Sequence, residues 1–186
     1  MRVSRQDAAE NRERVIETAS EMFRTNGYDG VGIATLMKAS GLTNGAFYKQ
    51  FDSKEALLAE ATAHALCENV EGWRETLESD GDDPLAATAR WYLSKRHLDH
   101  RGKGCAYATL AAEAPRHDES IARTFDDGIH QTLDAIVASA GTGDAGRDET
   151  TALRHLSRLV GALVLARAVG DPDFAERIMS ANRAPE

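Results

Sequence analysis

Nineteen residues, Ile33 to Phe51, constrain this chain more than any other stretch. IATLMKAS (Ile33 to Ser40) is a short amphipathic segment, Gly41 follows it, and LTNGAFYKQF (Leu42 to Phe51) reads as a second short helix. Ile33, Leu36 and Met37 stand at i, i+3 and i+4 and form one apolar face. Leu42, Phe47 and Phe51 join it, the two phenylalanines being one helical turn apart. Gly41 takes positive φ without steric cost, so it closes the first helix and lets the chain reverse. Thr43 or Asn44 supplies a side-chain oxygen to cap the second helix. Helix, glycine turn, short helix is the pattern of a helix-turn-helix, expected over about 33–51.

The face opposite the apolar one shows Thr43, Asn44, Tyr48, Lys49 and Gln50. Gly45 and Ala46 add little bulk, so this helix can approach a groove. These donors and acceptors suit base edges and phosphates, and the expected partner is double-stranded DNA. The motif also has ordered company: FRTNGYDG (Phe23 to Gly30) before it, and FYKQF (Phe47 to Phe51) running into DSKEALLAE (Asp52 to Glu60). From about Arg12 to Ala61 the chain resembles the DNA-binding domain of the TetR family of transcriptional repressors. The resemblance implies a recognition helix in the major groove, with Tyr48 and Lys54 on phosphates. One departure stands out. Where the family often has Thr or Ser before the first helix of the motif, this chain has Val31 and Gly32, which leaves only backbone N–H groups to offer there.

Charge is compatible with that reading once its distribution is considered. The net charge is −8. Residues 1–54 carry eight Lys/Arg against seven Asp/Glu, whereas residues 55–186 carry fourteen against twenty-three. Arg2, Arg5, Arg12 and Arg14 are candidates for a positive arm reaching phosphate or the minor groove. The acidic remainder discourages nucleic acid from binding elsewhere.

The rest of the chain reads as helical, with no convincing strand. The expected fold is all-α with nine helices: a three-helix DNA-binding domain (1–54) and a helical ligand-binding and dimerisation domain (55–186). A first helix ends near Asn26–Gly27. A long one starts at Ser53, a good cap, and runs to about Ser79 with Leu58, Ala61, Ala65, Leu66, Val70, Trp73 and Leu77 as its buried stripe. Pro84 opens a helix expected to run to about Asp99, Pro115 ends the next, and Pro172 opens the last. Further helices are expected over about 118–140, 148–169 and 173–182.

GCAYATLAAEAP (Gly104 to Pro115) is apolar on nearly every side and so reads as a helix surrounded by protein. In the family the corresponding helix lies between ligand pocket and DNA-binding domain. A mainly apolar pocket for a small-molecule effector is expected from Trp73, Trp91, Tyr92, Cys105, Tyr107 and Phe125. The last long helix carries Leu156, Leu159, Val160, Leu163 and Val164, with small residues between. It is expected to form the main interface of a homodimer, which would place two recognition helices on a palindromic operator.

Other classes fit poorly. No apolar run approaches the ~20 residues that span a bilayer, so no membrane association is expected. The N-terminus lacks the apolar stretch of a signal peptide, and Cys67 and Cys105 stand far apart, which together point to the cytoplasm. There is no phosphate loop, GxSxG or HExxH. His97 and His100 stand at i, i+3, a spacing that could chelate a metal, but beside Arg96 and Arg101 near a helix end they read as a solvated charged face. His64, His117, His130 and His155 show no ligand spacing, so neither enzyme, metal nor cofactor is expected. The function expected is a DNA-binding repressor released by a ligand. The alternatives are a ligand-binding helical protein without DNA binding, and a repressor that senses electrophiles or oxidants through Cys105.

Overall fold

The computed structural model describes residues 5–79 and 83–183. Among them the regular structure is entirely helical, with ten α-helices where nine were expected. α1 (Arg5–Asn26) buries Val15, Ile16, Ala19 and Phe23. α2 (Ile33–Ala39) and α3 (Asn44–Phe47) form the helix-turn-helix, and α4 (Lys54–Ser79) is the long strut. Next come α5 (Pro84–Tyr92), α6 (Lys95–Asp99), α7 (Tyr107–Leu110), α8 (Glu119–Ala140), α9 (Ala145–Ala168) and α10 (Pro172–Arg183).

The tenth helix arises from a break in the expected 84–99 segment. Leu93 leaves helical geometry with ψ near 44°, Ser94 is extended, and the Ser94 hydroxyl accepts from His97 N to cap a new helix. Leu93 is fully buried by the change of direction. The expected Gly104–Pro115 helix is likewise reduced to the single turn of α7, followed by a 3-10 turn at Ala114–Arg116.

The turn of the motif is a Schellman closure. Gly41 adopts φ +72°. Its N–H donates to Lys38 O (3.1 Å), and Leu42 N–H reaches back to Met37 O (2.9 Å). Ser53 caps α4 as expected, its hydroxyl accepting from Ala56 N at 3.0 Å. Neither Thr43 nor Asn44 caps α3: Thr43 is the N-cap residue, but its side chain makes no capping bond.

One contiguous core runs through the molecule. α4 is its axis, packing most extensively on α8 and then on α1. All seven residues of its expected stripe are buried. α9 lies against α10 and α8. Among the described residues no helix is long and apolar enough to cross a membrane.

Candidate nucleic-acid interface and effector cleft

α3 is held from beneath by its aromatics. Phe47 is fully buried and stacks on Phe51 at 5.5 Å, while Tyr48 meets Phe47 edge-on and stays 70% exposed. Thr43, Asn44, Gly45 and Lys49 are exposed beside it, and Ala46 is half-buried. This is a small polar face with no acidic side chain on it. Gln50 departs from the expectation: it is half-buried, and its Oε1 is shielded from solvent without a partner. Its amide therefore turns partly inward instead of standing with Lys49.

Lys54 is also committed to the fold. Its ammonium donates to Tyr28 O at 3.0 Å, which ties the α1–α2 connection to the start of α4. The arginines expected to form a positive arm are placed differently. Arg12 stacks over the Phe51 ring (4.8 Å) and pairs with Glu60, so it braces α1 on α4 and is no part of a free arm. Arg5 and Arg14 lie on α1, and Arg2 falls outside the described residues. Val31 is buried, and Gly32 starts α2 without a side-chain cap, in keeping with the expected loss of a side-chain phosphate contact.

The residues behind this face reach into the other half of the molecule. Arg24, at the end of α1, is 4% exposed; it donates to Gly104 O (3.1 Å) and to Glu68 Oε2 (2.8 Å). Glu113 accepts from Tyr28 N at 2.9 Å. The Tyr28 hydroxyl meets Thr62 Oγ1 at 2.6 Å, and burial pushes it up to about 12. His117 meets the Tyr28 ring edge-on at 4.9 Å. The chain around Gly104–His117 therefore grips α1 and its following loop at two separate points. Sequence reasoning missed Arg24 and Glu113, because nothing in one sequence separates them from the solvated charges around them.

A cleft of about 260 Å³ opens at the first of these points. Of the residues read as pocket walls, Trp73, Trp91, Tyr92 and Cys105 line it, joined by Arg24, Glu68, Asn69, Arg96, His97 and Lys103. It is rimmed by charge, not mainly apolar. Tyr107 and Phe125 are not among its lining residues. Tyr107 packs toward α8, its hydroxyl 2.9 Å from Thr132 Oγ1 and its ring 6.3 Å from Phe125, so the broken helix carries it away from the tryptophans. With its amide turned so that both ends are satisfied, Asn69 donates to Ala65 O and accepts from Ala106 N, both at 3.0 Å, which fixes the Cys105 turn on α4. Cys105 is 2% exposed, and burial pushes its thiol up, so the neutral, unreactive form is favoured.

The expected dimer residues divide between two faces. Leu159 and Leu163 are fully buried and Leu156 nearly so, all within the protomer's own core. Val160 is half-buried and Val164 is 42% exposed. The apolar surface α9 leaves open is Leu153, Val164 and Leu165, the last 59% exposed. A cluster unforeseen in the sequence also appears at the α1–α4 seam, where Glu13, Glu17 and His64 bring ligand-type atoms within 4.8 Å of one another. Both carboxylates are exposed, and His64 lies 4.0 Å from Glu13 and 3.9 Å from Glu68, as a surface ion-pair group would.

Known proteins share this fold. Residues 15–61 match the model of the bacterial regulatory proteins of the tetR family. The chain is 24% identical over 142 residues to the HTH-type transcriptional repressor DhaR of Mycobacterium sp., spanning 74% of this chain and 71% of that one. It is 32% identical over 137 residues to the HTH-type transcriptional regulator YxaF of Bacillus subtilis, spanning 69% of each. Its fold is similar to that of a TetR transcriptional regulator from Chloroflexus aurantiacus, with a TM-score of 0.78, 24% identity and 96% and 94% of the two chains covered. Motif, recognition face and these likenesses together place the chain in the TetR family of helix-turn-helix, DNA-binding transcriptional regulators.

Proposed function

We propose that the chain is a dimeric repressor, released from a two-fold operator by a small molecule bound in the 260 Å³ cleft. One observation carries the release: Arg24, a residue of the DNA-binding helix α1, is itself a wall of that cleft and is held there by Gly104 and Glu68. A ligand that displaces either partner acts directly on α1, and through it on the angle of α3. Tyr48, Lys49, Thr43 and Asn44 then meet DNA, with Gly45 and Ala46 allowing close approach. Gln50 and Lys54 support the face from its edge. DhaR, a relative of similar length, is a repressor, which favours that sign of regulation. The outward face of α9 supplies apolar surface for a second copy, and two copies would read half-sites about one helical turn apart.

The energetic requirement is modest. A differential affinity of about 3–5 kcal/mol between the two protein arrangements shifts occupancy from mostly bound to mostly free. The test starts with genomic fragments selected by the purified protein, which define the operator. Operator affinity is then measured with and without candidate ligands, and ligand affinity with and without operator. Lys49→Ala should cost about 1–3 kcal/mol mainly at the selected site. Lys54→Ala should weaken all DNA alike. Equal ligand affinity for free and operator-bound protein would rule out release through the cleft.

A further inference from the structure

The cleft is backed by hydrogen-bond donors that the protein leaves unanswered. Trp73 and Tyr92 are both 0% exposed; Trp73 Nε1 has no hydrogen-bond partner, and the Tyr92 hydroxyl has only the weakly accepting Cys105 thiol beside it. Behind them Arg167 reaches over from α9. One of its amino groups, Nη2, donates to His97 O, but Nε and Nη1 are shielded from solvent and also lack partners. The groups that act on this guanidinium besides burial are Cys105, Tyr92 and Arg101, none of them a carboxylate. Buried polar atoms are nearly always paired, and each orphan costs about 1–3 kcal/mol, more for a charged group. Trp73 and Tyr92 line the cleft, and Arg167 lies next to Tyr92 and His97 just outside its lining, so a group that enters the cleft and completes these donors best explains them.

The chemistry of that group follows from the donors. Indole and guanidinium nitrogens donate and never accept, so the complement must present acceptors. A guanidinium without a carboxylate beside it selects an anion. The walls define the remainder. Trp91 meets Trp73 edge-on at 6.0 Å, and His97 stacks on Tyr92 at 5.3 Å and meets Trp91 at 4.8 Å. Flat faces of this kind accept a planar body. A cavity of about 150 Å³ holds benzene, so 260 Å³ admits one ring with a short acidic substituent. At the mouth the Arg24–Glu68 and Lys103–Glu21 pairs largely neutralise one another, leaving the positive field to Arg96 and the interior.

We infer that the cleft takes a compact planar carboxylate, its anionic head directed at Trp73 Nε1 and the Tyr92 hydroxyl with Arg167 behind them. This names the ligand class of the effector cleft proposed above and rests on that reading. The chain's two tryptophans are both walls of the cleft, so its intrinsic fluorescence reports on this site. The full-length protein is titrated with benzoate, phenylacetate and cinnamate, and with the amide of each. At least one acid should change the emission saturably and bind about tenfold more tightly than its amide, the worth of a charge-assisted hydrogen bond.

Arg167→Met should bring that acid down to its amide's affinity, and Arg167→Lys should keep part of the preference. Arg167→Met should also melt no lower than the parent, since an uncompensated charge is removed. If Arg167→Met does not fold, Arg167→Lys and Tyr92→Phe carry the comparison, each expected to narrow the gap between acid and amide. The inference is overturned if no acid outbinds its amide, or if the variants leave the gap unchanged. An acid that binds without altering operator affinity leaves the ligand class standing and defeats release. A neutral compound that releases DNA while no acid binds does the reverse.

Discussion

At the scale of single residues, the side chains that matter most were those whose type said least. Phe47, Phe51 and Leu36 are buried as their spacing required, because an apolar side chain at helical period has one favourable place to go. Charged residues have no such rule. Arg12 and Arg24 look alike in sequence, yet Arg12 stacks on Phe51 and Arg24 is 4% exposed in the cleft wall. His155 is a third case. It read as an isolated histidine, but it is 5% exposed with Nε2 2.9 Å from Thr88 Oγ1. Burial, helped by Arg158 and opposed by Asp83, lowers it from 6.5 to about 4. The folded value lies below the ordinary one, so the unfolded chain takes up this proton first. The stability it contributes is complete above about pH 6.5 and is lost as pH falls toward 4, by about 3 kcal/mol. His155→Gln, which can still meet Thr88, should flatten the fall in urea midpoint between pH 7 and 4.5. An unchanged slope would assign that fall to other groups.

At the scale of elements, punctuation was legible and length was not. Gly41 and Ser53 act where the sequence placed them, because positive φ and an N-cap oxygen are local requirements. Gly41→Ala must hold a Cβ at φ +72°, in open space but in a disfavoured conformation. It should cost about 1–2 kcal/mol of stability and weaken operator binding by loosening the α2–α3 angle. Unchanged denaturation and unchanged DNA affinity would show that another residue sets that angle. The 84–99 segment shows the opposite case. Its periodicity continues through Leu93, yet the chain breaks there to bury Leu93 completely. Continuing α5 and starting α6 are both locally feasible, since Ser94 can cap the second. Packing chose between them. The same choice shortened the Gly104–Pro115 helix and separated Tyr107 from the tryptophans.

At the scale of the whole molecule, α9 presents apolar side chains on two sides. Its apolar residues exceed one stripe, which the sequence showed, but which of them face inward depends on where α8 and α10 lie. Leu159 and Leu163 belong to the protomer, and Leu153, Val164 and Leu165 face out. The two sets predict different outcomes. Leu159→Ala should lower the protomer's stability by about 2–5 kcal/mol. Leu165→Glu should retain helical content while sedimentation falls toward the mass of a single chain. A Leu165→Glu protein that still sediments as a dimer would place the interface elsewhere. The same scale sets which segments join the cleft to the half that holds the helix-turn-helix. Arg24 on Gly104 and Glu113 on Tyr28 join segments about eighty residues apart in sequence, at 3.1 and 2.9 Å.

The sequence by itself determined the class of fold, the helix-turn-helix with its glycine turn, the long α4 strut and the family. Each of these rests on local geometry or on the 3.6-residue period, which a single chain displays in full. Tertiary structure decided which charges are buried, where two helices break, which face of α9 is open, and that Trp73, Tyr92 and Arg167 converge with unanswered donors. Those outcomes depend on contacts between distant segments, where burying a polar group costs or gains according to the partner that arrives. No local pattern encodes that partner.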